Sequence, residues 1–185
     1  MSDDTLTITL KTPIAFENQT YSEITLREPT AGELAKAVRG ENPVAIGVIL
    51  VAEVSGVPER AINMLAGSDL NRATGFVAPF YARATSDDCL VVSEDDPGCA
   101  TLTLRAPLKV DGREISELKL REPTAGELRA AADGDNAIET DIRLLAIIGR
   151  VPRSAIAGMP ARELMAASRF FSDSTRVAPP GGSGS

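Results

Sequence analysis

The chain has 185 residues, 43% hydrophobic but only 4% aromatic, with a formal net charge of -7, no histidine and two cysteines. That content supports a packed core of Leu, Ile, Val and Ala. The acidic balance, with no basic face to displace counterions, excludes nucleic-acid binding as the main role. Two cysteines without histidine cannot close a zinc site, so no metal or cofactor is expected.

From the N-terminus, Met1 to Leu10 is acidic and lacks the basic-then-apolar order of a secretion signal. Ile8, Leu10, Ile14 and Phe16, then Tyr21, Ile24 and Leu26, predict two strands of a hairpin with a weak turn around Glu17 to Thr20. Thr30-Ala31-Gly32-Glu33 matches the Thr-x-x-Glu capping box, in which Thr30 accepts from the N–H three residues on and Glu33 reaches back. Gly32, inside the first helical turn, reads as a site of tight packing on its own sheet, with close approach by a partner as the alternative. This first helix should end near Gly40, and a second should cover about Pro43 to Val54. A third should start with Pro58 at its first position, and a fourth should cover about Ser68 to Arg83. The second helix holds the longest apolar run, Val44 to Val54. Gly47 and Glu53 interrupt it and it is too short to span a bilayer, so no membrane partner is expected.

Thr85 to Cys99 is rich in Asp, Glu and Ser and reads as an acidic linker, with Cys89 to Val92 able to add a short strand. Both cysteines lie here. Free thiols are expected in a reducing compartment, with a disulfide as the alternative.

The same pattern then begins again. Leu120 to Leu128 reads LREPTAGEL, identical to Leu26 to Leu34, and the match extends both ways without a gap. Thr101 to Leu104 lines up with Thr7 to Leu10, Pro107 with Pro13, Pro152 with Pro58, and Leu164 with Leu70. Leu102, Leu104, Leu108 and Val110 share one parity, and Asp111-Gly112 is a strong two-residue turn signal. A parity change between Ile115 and Leu118 predicts a bulge near Ser116-Glu117. Pro107 places the first strand at an edge or breaks it there. Thr124 and Glu127 form the second capping box, with Glu122 expected to pair with Arg121 as Glu28 does with Arg27. Further helices should end near Gly134, cover about Ala137 to Ile148, start at Pro152, and cover about Pro160 to Phe171.

The fold class is therefore α+β: two repeated modules, each a small antiparallel β-hairpin sheet followed by three to four short helices, helix predominating. The modules span residues 5–84 and 100–174, joined by the linker 85–99 and followed by a flexible tail, 175–185. Inside the modules no nucleophile–base pair and no phosphate loop stands out, so no catalytic residue is assigned. The copies differ in the second helix. Ile46, Gly47 and Ile49 stand where the sister copy has Thr140, Asp141 and Arg143, a plausible solvated face. Ile46 and Ile49 are either a partner-binding patch or buried against the rest of the chain.

A hairpin leading into LREPTAGEL, followed by Thr140 to Phe171 (TDIRLLAIIGRVPRSAIAGMPARELMAASRFF), resembles the tail assembly chaperones of long-tailed bacteriophages, in particular the short family of Mu-like and related contractile-tailed phages. Its members read as a β-hairpin, a LREPT-x-G-[DE]-L junction and a G-[VL]-P step. That step is Gly56-Val57-Pro58 here, and in the second copy an arginine intervenes, Gly149-Arg150-Val151-Pro152. The chain also departs from the usual single unit by carrying two. The resemblance implies a non-enzymatic protein that binds the tape measure protein, helps recruit the tail tube protein, and leaves before the virion is complete. It would act in the host cytoplasm and be absent from the mature particle. Self-association is a further expectation. The competing reading is a structural tail component or adaptor retained in the particle.

Overall fold

The computed structural model describes residues 5–82, 89–133 and 135–175. The expected helix end at Gly134, the C-terminal limit near Arg83 and most of the tail lie outside them.

Alternation in the first segment makes β1 (Thr5–Phe16) and β2 (Gln19–Arg27), an antiparallel pair whose inward residues Ile8, Leu10, Ile14, Ile24 and Leu26 are buried. In the second repeat β4 (Cys99–Val110) pairs with β5 (Arg113–Arg121), and β3 (Leu90–Val92) adds a third strand on the outer edge of β4. Asp111 and Gly112 both take left-handed backbone, φ 48° and 76°, the geometry that matches a two-residue turn to strand twist.

The irregularity lies on the other strand from the one expected. Thr103 pairs with Glu117 and Leu108 with Ile115, so the extra residues, 104–107, belong to β4 and face Ser116. β1 repeats this between Thr9 and Ile14. Pro107 and Pro13 lie inside these bulges, where a residue without an N–H costs no ladder bond. A buried carboxylate serves each bulge. Asp69 Oδ2 accepts from the Lys11 N–H at 3.0 Å, and Glu163 Oε1 accepts from the Arg105 N–H at 2.8 Å. A backbone donor freed from its ladder thus keeps a partner.

Helices follow in the same order in both repeats: α1 (Ala31–Ala37), α2 (Pro43–Ser55), α3 (Glu59–Ile62), α4 (Gly67–Val77) and α5 (Pro79–Ala82), then α6 (Ala125–Ala131), α7 (Ala137–Gly149), α8 (Arg153–Ala157) and α9 (Ala161–Ser174). The expected fourth helix of the first repeat is interrupted before Pro79, which has no N–H to continue the ladder. Pro58, Pro152 and Pro160 stand one position earlier than the sequence places them, at the cap. Gly56 ends α2 in left-handed backbone, and Arg150 takes the same conformation, φ 53°, at the end of α7.

Two apolar clusters form, one for each repeat, and each takes small residues from the other. Ala31 and Ala35 of α1 enter the second core, and Ala161 of α9 enters the first.

Candidate functional site

The repeated nonapeptide builds a rigid junction in both copies. Thr30 Oγ1 accepts from the Glu33 N–H at 3.3 Å, and Glu33 Oε2 accepts from the Thr30 N–H at 2.9 Å. Thr124 and Glu127 repeat this at 3.3 and 2.9 Å. The same glutamates take a second partner each, for Arg27 and Arg121 grip them with both terminal guanidinium nitrogens. Burial pushes the Glu33 carboxyl up, but Arg27 and the Thr30 backbone together hold it below its ordinary value. The Arg121 fork, helped by the Thr124 backbone, lowers Glu127 from 4.5 to about 2. These four residues are structural clamps.

The expected pairing of Glu28 with Arg27 does not form. Arg27 goes to Glu33, and Glu28 Oε1 instead accepts from Arg162 Nε on α9, at 2.6 Å. That bond belongs to the interface between the repeats. The Ala31 N–H donates to the Met159 carbonyl at 2.9 Å, and the Ala161 N–H donates to the Pro29 carbonyl at 2.8 Å, a short antiparallel bridge. Asn136 Nδ2 donates to the Ala35 carbonyl at 3.0 Å, and Arg39 pairs with Asp135 at 2.5 Å. The Arg162 guanidinium also lies over the Phe80 ring, 4.8 Å from its centre. Gly32 packs here and not on its own sheet. A Cβ at that position would lie 3.0 Å from the Ala157 carbonyl oxygen of α8.

Ile46 and Ile49 are half-buried and lie against the core of the first repeat. In the sister copy Thr140 and Arg143 are partly exposed, but Asp141 is not solvated. Ser168 Oγ donates to Asp141 Oδ2 at 2.7 Å where α9 crosses α7, and burial pushes the Asp141 carboxyl up. In the first repeat the same crossing brings Thr74 against Gly47, with a Cβ there only 2.9 Å from Thr74 Cγ2. Glu139, fully enclosed on α7, accepts from Arg153 and Arg143. Arg153 above all holds its carboxyl down against the opposing push of burial. The sequence offered one overlooked signal for the buried acids: Asp69 and Glu163 immediately precede the aligned leucines Leu70 and Leu164.

An open groove runs between β5 and the end of α7, with Val91, Ile115, Leu118 and Ile148 along it and Glu117, Lys119, Arg121 and Arg150 at its sides. Large apolar side chains also stand out at Val44, Met64 and Leu128. Among the described residues no group of three or more His, Cys, Asp or Glu is placed to hold a metal ion, and no helix is long and apolar enough to cross a membrane.

The comparisons with known proteins agree with the internal repeat. The chain matches the family model described as "Phage tail assembly chaperone proteins, E, or 41 or 14" over residues 7–82 and again over residues 101–176. No curated protein and no solved structure matches it. With two full matches that together span most of its length, the chain belongs to the phage tail assembly chaperone family and carries the family unit twice in tandem.

Proposed function

We propose that the chain is a non-enzymatic chaperone that binds the tape measure protein and assists tail tube assembly in the host cytoplasm, leaving before the particle is complete. Residues 5–84 and 100–174 would be its two working modules. The observation that carries this reading is the apolar groove between β5 and α7, set in a member of the tail assembly chaperone family. A tape measure is a long helix-rich chain, and an apolar groove with charged sides suits one face of an amphipathic helix. Ile46 and Ile49 would serve as the first module's contact, half-buried against its core and apolar where the sister copy is polar. Two contacts on one chain raise the effective concentration of the second once the first is made.

The test is co-purification of the tape measure protein with Ile46→Asp/Ile49→Asp and, separately, with Ile115→Asp in the groove. Each is expected to lose capture while keeping the parent's circular dichroism spectrum. A double variant that unfolds would make Ile46 and Ile49 core residues only, and full capture by both variants would refute the assignment. Mass spectrometry of finished tails should find the chain absent. Its presence at stoichiometric level would favour a retained structural component.

A further inference from the structure

Helices α2 and α7 end alike, each with one residue in left-handed backbone after the last turn. In the first repeat that residue is Gly56, φ 70°, of the type that takes this conformation freely. In the second it is Arg150, φ 53°, where a side chain makes the conformation strained. The turn itself does not call for arginine. Gly56 donates its N–H to the Ala52 carbonyl as Arg150 does to the Ala146 carbonyl. Nor does the Arg150 side chain make a polar contact that would offset the strain. It is exposed, and its guanidinium has no hydrogen bond or ion pair among the described residues.

What Arg150 does have is a place at the side of the groove between β5 and α7. Its backbone is held there by both neighbours. Gly149 lies close on β5, where a Cβ would stand 3.4 Å from Leu118 Cδ2. Val151 is buried and donates its N–H to the Ala146 carbonyl at 3.1 Å.

The other charges of the groove are already engaged. Arg121 grips Glu127, and Lys119 lies 3.5 Å from Glu117 and donates to Thr101 Oγ1. Arg150 is thus the groove charge left without a partner among the described residues. In a chain of net charge -7, the groove carries three cations, Lys119, Arg121 and Arg150, against one carboxylate, Glu117. The first repeat has no such rim, for Gly56 and Thr25 stand at the positions of Arg150 and Lys119.

We infer that Arg150 selects the partner at this groove, pairing with a carboxylate that borders the apolar stripe of an incoming amphipathic helix. The inference rests on the groove being the partner site proposed above, and adds the chemistry of what it accepts. The stripe covers Ile115, Ile148 and Val91, the last 63% exposed, while a Glu or Asp beside it meets the unpaired guanidinium. A planar guanidinium takes both oxygens of a carboxylate, so the contact fixes register as well as adding attraction. A stripe bordered by lysine meets a like charge and is rejected. Arg150 is in this sense a residue kept for binding against the stability of its own turn.

The test uses two synthetic amphipathic helices of about 18 residues, equal in net charge and sharing one leucine stripe. In one, glutamates border the stripe and lysines lie on the opposite face. In the other these are exchanged, so any difference reports the border alone. Each is titrated into the isotope-labelled full chain, and affinity is read by NMR from the amides of β5 and the end of α7. The parent should bind the glutamate-bordered peptide about fivefold more tightly, a preference that shrinks as salt is raised. Arg150→Lys should keep most of that preference and Arg150→Glu should reverse it. Arg150→Gly should abolish it while melting higher than the parent, a combination that a merely structural role would not produce. Equal binding of the two peptides, no shift of a groove amide with either, or a preference that Arg150→Glu leaves unmoved each overturns the inference. If Ile115→Asp loses capture of the tape measure protein while the peptides bind equally, the groove reading stands and this inference alone fails.

Discussion

Leu26 to Leu34 and Leu120 to Leu128 carry the same nine residues and fold to the same strand, cap and helix, yet they end in different surroundings. In the first copy the turn is buried against the other repeat. In the second it faces outward. Nothing in the motif itself distinguishes the two. What differs is which neighbour the chain brings to it. A local clamp such as the capping box therefore fixes geometry without fixing burial, and the energetic weight of a residue follows its neighbours and not its motif.

The largest expected effect tests that lesson directly. Leu34→Ala empties a closed site and should cost about 2–5 kcal/mol of stability. Leu128→Ala, at a position 40% exposed, should cost well under half as much. Chemical denaturation of both variants checks the contrast, and equal losses would mean that α6 is covered in solution.

A smaller effect concerns the ends of α2 and α7. Gly56 adopts left-handed backbone at no steric cost, whereas Arg150 holds the same conformation with a side chain. Arg150→Gly should stabilise the protein by about 1–2 kcal/mol, read as a higher melting temperature. A loss would show that the Arg150 side chain contributes more than its backbone strain costs.

The smallest effect depends on pH and separates the two helix crossings. Asp141 has a carboxyl raised by burial, so the native state binds its proton more tightly than the unfolded chain does. Its favourable contribution is present at low pH and is lost as pH rises through the carboxylate range. Asp141→Asn keeps the acceptor for Ser168 and removes the titration. It should therefore melt higher than the parent at pH 7 and match it near pH 3. Gly47 occupies this position in the first repeat, so that crossing has no such dependence. Glu127 works in the opposite direction, giving stability that is present above 4.5 and lost as pH falls toward about 2.

The sequence determined the elements and their order. Alternation placed the strands, Thr-x-x-Glu placed two helix starts, Asp111-Gly112 placed a turn, and the exact repeat announced a second copy of the whole unit. These signals are local, because backbone hydrogen bonds and caps join residues a few positions apart. The tertiary structure alone decided the rest. It assigned the bulge to β4, where an acid 58 residues away holds the freed Arg105 N–H. It turned Glu28 from its neighbour Arg27 to the distant Arg162, and pressed Gly32 onto the other repeat. It also put Asp141 under α9 and not in solvent. Each of these joins residues far apart in the chain, and their meeting depends on which faces dock, a choice made by burial summed over whole surfaces that no short window of sequence contains.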